Sequence, residues 1–429
     1  MSLPVDKGLR KAKICLQAGE VAGAEALYKQ ILSKFPKNKR ALEGLRQVSV
    51  AKVQGSALRV MPPQDRLNDL VGLCHQRRFH ETERAALALI ETFPNAAILY
   101  NILGLAKAGL AQYDAAITCY RRALELDPGF SEALSNIGAA LKQKGDFDGA
   151  IDCFKQALKL KPDQVVYYRY IGKAQIEKGA FDQAIEALQT ALRLRPDFGQ
   201  LHSVLGTAFL GKGDWKSAIN SCQEALKTDP GNPHVLYNMG SAQHRLGWFE
   251  AAIDSYQLAL GAAPNFVEAH NNLGNALKEQ GRLDEAEASY RQAIVLKPGY
   301  ANAHSNLGAT LQELSRLDEA EASYIQAIAL RPNYAEAYSN LGVTLQELGR
   351  LEEAEESLKH AITLKPDFAL AHYGLTKVLY NMSYKDSALE SIKKANVIDP
   401  KSKDFSLLLS VLQARKAREN TTEGVKNTI

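Results

Sequence analysis

Cysteine is scarce in this chain, and no two cysteines are close together. The five are Cys15, Cys74, Cys119, Cys153 and Cys222. None forms a CxxC pair, which excludes a small disulfide framework and a cysteine zinc site. Reduced thiols within helices, in a cytoplasmic protein, are the expectation. Long hydrophobic runs are absent as well. No stretch of 18 apolar residues exists, so no membrane-spanning helix is expected. The basic first helix lacks the continuous apolar run of a signal peptide. The sequons Asn381-Met382-Ser383 and Asn420-Thr421-Thr422 are then chance matches.

Charge is mixed, and its overall value of +4 conceals an asymmetry. Residues 1–62 carry twelve Lys/Arg against four Asp/Glu, a balance of +8. Residues 401–429 carry six against three, and the residues between are left at −7. A basic end can touch nucleic acid or anionic lipid. The ordinary reading is a solvated helix surface, so neither is expected as a partner.

What the chain has is repetition. Residues 267–368 divide into three near copies of 34 residues, starting at Val267, Ala301 and Ala335. A fixed period of this size marks stacked repeats rather than a globular core. Within the first copy, Ala269, Leu273, Ala276 and Leu277 recur at helical spacing, as do Ala286, Ala293, Ile294 and Leu296. This gives two amphipathic helices separated by Gln280-Gly281-Arg282. Gly281 is free to take the positive φ that ends the first helix. Asp284 and Glu285 suit the positive end of the second helix dipole, and Pro298 stops the unit. Gly274 and Ala286 are small where the two helices must come close. One such hairpin cannot bury its apolar face alone, so neighbours must stack.

The pattern resembles the tetratricopeptide repeat. Gly274, Ala286, Tyr290, Ala293 and Pro298 match its signature, as do Gly308, Ala320, Tyr324, Ala327 and Pro332. The resemblance implies an all-α, right-handed superhelical α-solenoid of bacterial type, with the first helices lining the inner surface.

In chain order, residues 1–62 read as a basic N-terminal unit, a further helix near Lys39–Lys52 and a hinge at 53–64. In the unit at 5–36, Gly19 stands at the turn and Ala24, Tyr28 and Pro36 hold their places. Residues 63–96 form a degenerate unit, in which Leu70 replaces the glycine and Thr82 the alanine. Nine units follow over 97–400 without insertion or deletion, starting at Ala97, Ser131, Val165, Gly199, Pro233, Val267, Ala301, Ala335 and Ala369. The ninth is worn: Thr376 replaces the small glycine and Ser383 the turn glycine. Residues 401–418 read as a capping helix and 419–429 as a disordered tail.

Numbering each unit from its start, the sixth slot reads Ile102, Asn136, Tyr170, Val204, Asn238, Asn272, Asn306, Asn340 and Gly374. Asparagine is mildly unfavourable inside a helix, so its recurrence asks for a reason. One reason is a ladder of amides matched to the backbone of an extended peptide. This resembles the repeat arm of O-linked N-acetylglucosamine transferases, where an asparagine ladder holds substrate polypeptide. The other is that Asn-Leu-Gly is a consensus retained from recent duplication, which the near identity of the copies fits equally. At ~1 kcal/mol per amide, five asparagines give about 5 kcal/mol, whereas micromolar binding needs about 8 kcal/mol. The ladder alone would capture polypeptide weakly and without sequence preference.

Catalytic chemistry finds no foothold. Gly206 to Lys212 imitates a phosphate-binding loop, but Gly213 stands where Ser or Thr is required, and the segment runs from helix to turn. His202, His270, His304 and His372 share the fourth slot, one repeat thickness apart (~10 Å), too far to share a metal. The second and sixth slots of the nine units carry no Lys or Arg, which argues against a clamp for chaperone carboxylates. Arg169 and Lys173 form a basic pair in one unit only. The expectation is therefore a non-catalytic scaffold without cofactor or metal, whose partners are extended segments of other proteins rather than small molecules. The rival expectation is the substrate-recruiting arm of a glycosyltransferase, sulfotransferase or oxygenase whose catalytic domain lies elsewhere. Nothing in the sequence marks a dimer seam.

Overall fold

The computed structural model describes residues 5–17, 21–55 and 61–426. Among them are 24 helices and no strands, an all-α solenoid of stacked hairpins. Its contacts group into an N-terminal body ending at Ala180 and a C-terminal body beginning at Phe181. The division falls between the two helices of the unit that starts at Val165.

Each clean repeat is built alike. In the unit at 267, the first helix is Val267–Glu279 and the second Leu283–Leu296. The units at 301 and 335 reproduce these lengths, with Ala301–Glu313 and Leu317–Leu330, then Ala335–Glu347 and Leu351–Leu364. The turn between the helices takes a left-handed residue at slot 15. Gly281 has φ 72° there, and Ser315 and Ser383 adopt φ 62° and 69° without being glycine. A side chain in this region costs roughly 1–2 kcal/mol. Ser315→Gly is therefore expected to raise stability by about 1 kcal/mol, read as a higher urea midpoint at an unchanged slope. An unchanged or lower midpoint would refute this account of the turn.

The close approach inside each hairpin explains the glycine of slot 8. A Cβ on Gly274 would lie 2.6 Å from the Tyr290 ring, and one on Gly308 2.9 Å from Tyr324. Gly138 meets Phe154 and Gly342 meets Leu358 in the same way. The ring or branched residue of slot 24 fills the space that glycine leaves. The degenerate unit at 63–96 reverses the sizes: Leu70 stands in slot 8 and Ala86 in slot 24, both buried in one core. Its Thr82 is buried with the hydroxyl donating to the Arg78 carbonyl at 3.1 Å, so a polar residue is tolerated in the alanine slot. In the worn ninth unit, the Thr376 hydroxyl donates to the His372 carbonyl at 2.8 Å.

The fourth-slot rings have a task that their composition concealed. Histidine Nε2 donates to the carbonyl of the preceding unit's closing proline in His202–Pro196, His270–Pro264, His304–Pro298 and His372–Pro366, at 2.9–3.2 Å. The Tyr100 hydroxyl does the same to Pro94 at 3.1 Å. A proline-ended loop leaves this carbonyl without a helical partner, and the ring ties it to the next helix.

No disulfide joins any of the five cysteines. Cys222 is buried, and burial pushes its thiol up to about 12. The other four are half-buried.

Two boundaries differ from the sequence reading. The third helix runs from Lys39 to Gly55, not to Lys52, so the first residues of the expected hinge are helical. Gly55 is thus the last residue of a helix rather than an early breaker. Gly19 and residues 56–60 lie outside the described residues. The final helix runs Lys403–Lys426, past the expected end at Arg418, so 419–426 are helical rather than a disordered tail. Ala414 to Glu419 are good helix formers with no proline to stop them. Residues 427–429 are outside the description.

Candidate functional site: the first-helix face

In the C-terminal body, successive first helices touch one another directly, from Gly199–Lys212 to Ala369–Asn381. No two successive second helices approach comparably among the described residues. The first-helix side is therefore the concave one within this body. The same close approach of first helices occurs in the N-terminal body, from Gln64–His75 to Ser131–Gln143.

The sixth-slot asparagines sit on this face, each half-buried. Asn238, Asn272, Asn306 and Asn340 lie on consecutive first helices of the C-terminal body, and Asn136 lies in the N-terminal body. The amides of Asn136, Asn238, Asn272 and Asn306 are oriented by the preceding repeat. Asn306 Nδ2 donates to Asn271 Oδ1 at 3.0 Å and to Asn275 Oδ1 at 3.1 Å. Asn272 Nδ2 donates to the Tyr237 hydroxyl at 3.0 Å, and Asn238 Nδ2 to Thr207 Oγ1 at 3.1 Å. In the N-terminal body, Asn136 Nδ2 donates to Asn101 Oδ1 at 2.9 Å.

A rule follows that the sequence alone did not yield. In these four the slot-6 amide donates backward to slot 5 or slot 9, and slot 5 is half-buried at Tyr237 and buried in the units at 267, 301 and 335. Asn271, Ser305 and Ser339 are 4%, 5% and 3% exposed. The asparagines are thus cross-braces between repeats as well as groove residues. Their N–H groups serve the stack, and the carbonyl oxygen is the atom with spare accepting capacity toward a ligand. Asn272 Oδ1 additionally accepts from Asn271 Nδ2 at 3.2 Å.

Polar pairs at slots 12 and 13 edge the face. Lys278 meets Glu313 at 3.1 Å, and Gln312 Nε2 donates to Glu347 Oε1 at 3.0 Å. Below them, Arg316 and Arg350 join Glu287 and Glu321 of the preceding repeats at 2.6 and 2.7 Å. Burial would raise the Glu287 carboxyl, but hydrogen bonds from Arg291 and Arg316 outweigh it and hold the pKa below the ordinary value. In the N-terminal body Arg169 is half-buried and Lys173 exposed; desolvation first, then the charges of Arg169 and Lys142, lower the Lys173 pKa. Arg169 stacks on Tyr170 at 5.4 Å.

The phosphate-loop imitation lies within helix Gly199–Lys212. Its backbone amides belong to helical hydrogen bonds rather than to a cradle open to phosphate. Among the described residues, no group of three His, Cys, Asp or Glu is placed to hold a metal ion.

Models of the tetratricopeptide repeat match residues 131–164, which is one whole hairpin, and residues 110–145 and 172–213, which cross from one unit into the next. The chain carries tetratricopeptide repeats. A model of the C-terminal domain of cilia and flagella-associated protein 70 also matches residues 199–407 of the repeat array. Among solved structures, the APC/C hetero-tetramer Cut9-Hcn1 is similar at 14% identity and a TM-score of 0.50, covering 96% of each chain, which is a likeness of fold. Two smaller solved structures overlap part of the chain. MamA does so at 29% identity over 38% of this chain and 95% of its own, with a TM-score of 0.35. YrrB, described as a TPR protein with an unusual peptide-binding site, does so at 23% identity over 43% of this chain and 95% of its own, with a TM-score of 0.38. No curated protein matches the chain. No helix among the described residues is long and apolar enough to cross a membrane.

Proposed function

We propose that the chain is a non-catalytic scaffold that binds extended polypeptide along its first-helix face, through Asn136 in the N-terminal body and Asn238, Asn272, Asn306 and Asn340 in the C-terminal body. The observation that carries this reading is the shared orientation of four of the five amides. The Nδ2 groups of Asn136, Asn238, Asn272 and Asn306 are held by the preceding repeat, so these side chains are ordered before any ligand arrives. A preorganised row loses less side-chain entropy on binding than a free one. The carbonyl oxygens then accept from backbone N–H groups, which every sequence except proline offers. Capture is therefore weak and tolerant of sequence, and a cytoplasmic setting with protein partners suits it.

The test is a comparison of one probe protein in two states. A permanently unfolded, fluorescein-labelled polypeptide is titrated with the full chain by anisotropy, beside the same protein folded. The unfolded form binds and the folded form does not. Equal binding of both, or of neither, would sink the proposal.

A further inference from the structure

The last helix, Lys403–Lys426, occupies the place of a tenth first helix. Its Lys416 pairs with Asp386 at 2.6 Å, as Lys178 pairs with Asp148 at 2.5 Å and Lys212 with Asp182 at 2.6 Å. Its Arg415 lies over the Tyr380 ring at 5.4 Å, where inner repeats set slot 13 against slot 12 of the preceding repeat. Phe405 and Leu412, in slots 3 and 10, are buried like their counterparts.

Among the described residues no further helix covers two faces of this helix, and the two faces differ in kind. The face that would receive a second helix carries Ser406, Ser410 and Gln413, all exposed. Slot 8 is a serine where inner hairpins place glycine against a large side chain, so this face is finished for water. Slots 5 and 9 face the following first helix in the inner repeats, where they are polar at Asn271 and Asn275 and mixed elsewhere, as at Ala309 and Val343. In the terminal helix they are Leu407 and Val411, 65% and 39% exposed. A cap made only for solubility would carry polar residues at these two slots as well.

The charge around this seam selects its occupant. Between 401 and 418 the chain carries Lys401, Lys403, Arg415, Lys416 and Arg418 against Asp404, with Lys416 already paired to Asp386. Lys377 of the preceding first helix adds a cation, held over Tyr373 at 4.4 Å. A second copy would bring the same excess of positive charge to the seam. A bilayer needs a long apolar face, whereas Phe405 and Leu412 are already buried in the stack and only two apolar residues of this seam are open.

We propose that Leu407 and Val411 form a docking seam for an acidic amphipathic helix of a partner protein, lying where an eleventh first helix would lie. Apolar residues one turn apart on that helix cover the seam, and its carboxylates face Lys377, Arg415 and the cations beyond. This site is separate from the groove and does not depend on the amide ladder.

The test uses a labelled 18-residue peptide with leucines one turn apart on one face and glutamates elsewhere, titrated with the full chain by anisotropy. The expected result is binding that weakens at least tenfold in the Leu407→Asp, Val411→Asp double variant and weakens with salt. Both side chains are exposed, so helicity by circular dichroism stays unchanged. A chain with Asn238, Asn272, Asn306 and Asn340 changed to Ala keeps this binding. Equal binding to the double variant, or a Kd above about 1 mM, overturns the proposal. Self-association in sedimentation that the double variant abolishes would overturn it in favour of a second copy. Loss of binding to phosphatidylserine vesicles in that variant would overturn it in favour of a membrane.

Discussion

Tyr290→Ala is expected to destabilise the repeat at 267–300 by about 3–5 kcal/mol, the cost of emptying a large buried aromatic site. Gly274→Leu is expected to be damaging for the opposite reason. Its Cβ alone would stand 2.6 Å from the Tyr290 ring, before the rest of the side chain is counted. Overpacking of this kind costs roughly 1–3 kcal/mol or more. The two changes together should cost far less than their sum, because the leucine fills the space that the ring vacates. The chain has already made this exchange in Leu70 and Ala86, whose buried side chains share a core. A double-mutant cycle in urea should return a coupling of about 2–3 kcal/mol in favour of the pair. Additive single effects would mean that slots 8 and 24 do not share one volume. Because each repeat leans mainly on its neighbours, the loss should appear locally in amide exchange of residues 267–300 before it appears globally.

Changing Asn238, Asn272, Asn306 and Asn340 to alanine is expected to abolish measurable capture of the unfolded probe. At ~1 kcal/mol for each hydrogen-bonded amide, four substitutions raise Kd about a thousandfold. The same variant should also lose stability, because at least three of the four amides brace the preceding repeat. A control separates the two effects. Asn271 is buried and serves the brace by accepting from Asn306 Nδ2, without lining the groove. Asn271→Ala should therefore lower the urea midpoint while leaving probe binding close to wild type. If Asn271→Ala and Asn306→Ala weaken binding equally, the asparagines act through the stack and not through the ligand.

Much of the fold was readable because each local feature is governed by near neighbours. The 34-residue period, the proline stops and the left-handed turn at Gly281 all follow from short-range chemistry. So did the need for a small residue at Gly274. What stayed hidden depends on how one hairpin rotates against the next. The donation from Asn306 to Asn271 joins residues 35 positions apart, and a repeat consensus alone does not reveal which slots meet across that seam. The histidine bonds to the proline carbonyls were hidden for the same reason. The Leu70 and Ala86 exchange was present in the sequence, but it is legible only once slots 8 and 24 are known to touch. At the two ends, polar composition misled. Residues 53–64 read as a hinge and 419–429 as a tail, yet helix continues to Gly55 and to Lys426.

The central claim is that polypeptide lies along the first-helix face, and site-specific photocrosslinking tests it most directly. A benzophenone side chain is placed at Glu268, an exposed position on a first helix one turn before Asn272, and in a second chain at Ala322, an exposed position on a second helix. Each chain is irradiated with the unfolded probe. The account predicts crosslinks from position 268, spread over many positions of the probe, and none above background from Ala322. Crosslinks from Ala322 alone, or equally from both, would place the polypeptide off the groove and contradict the account.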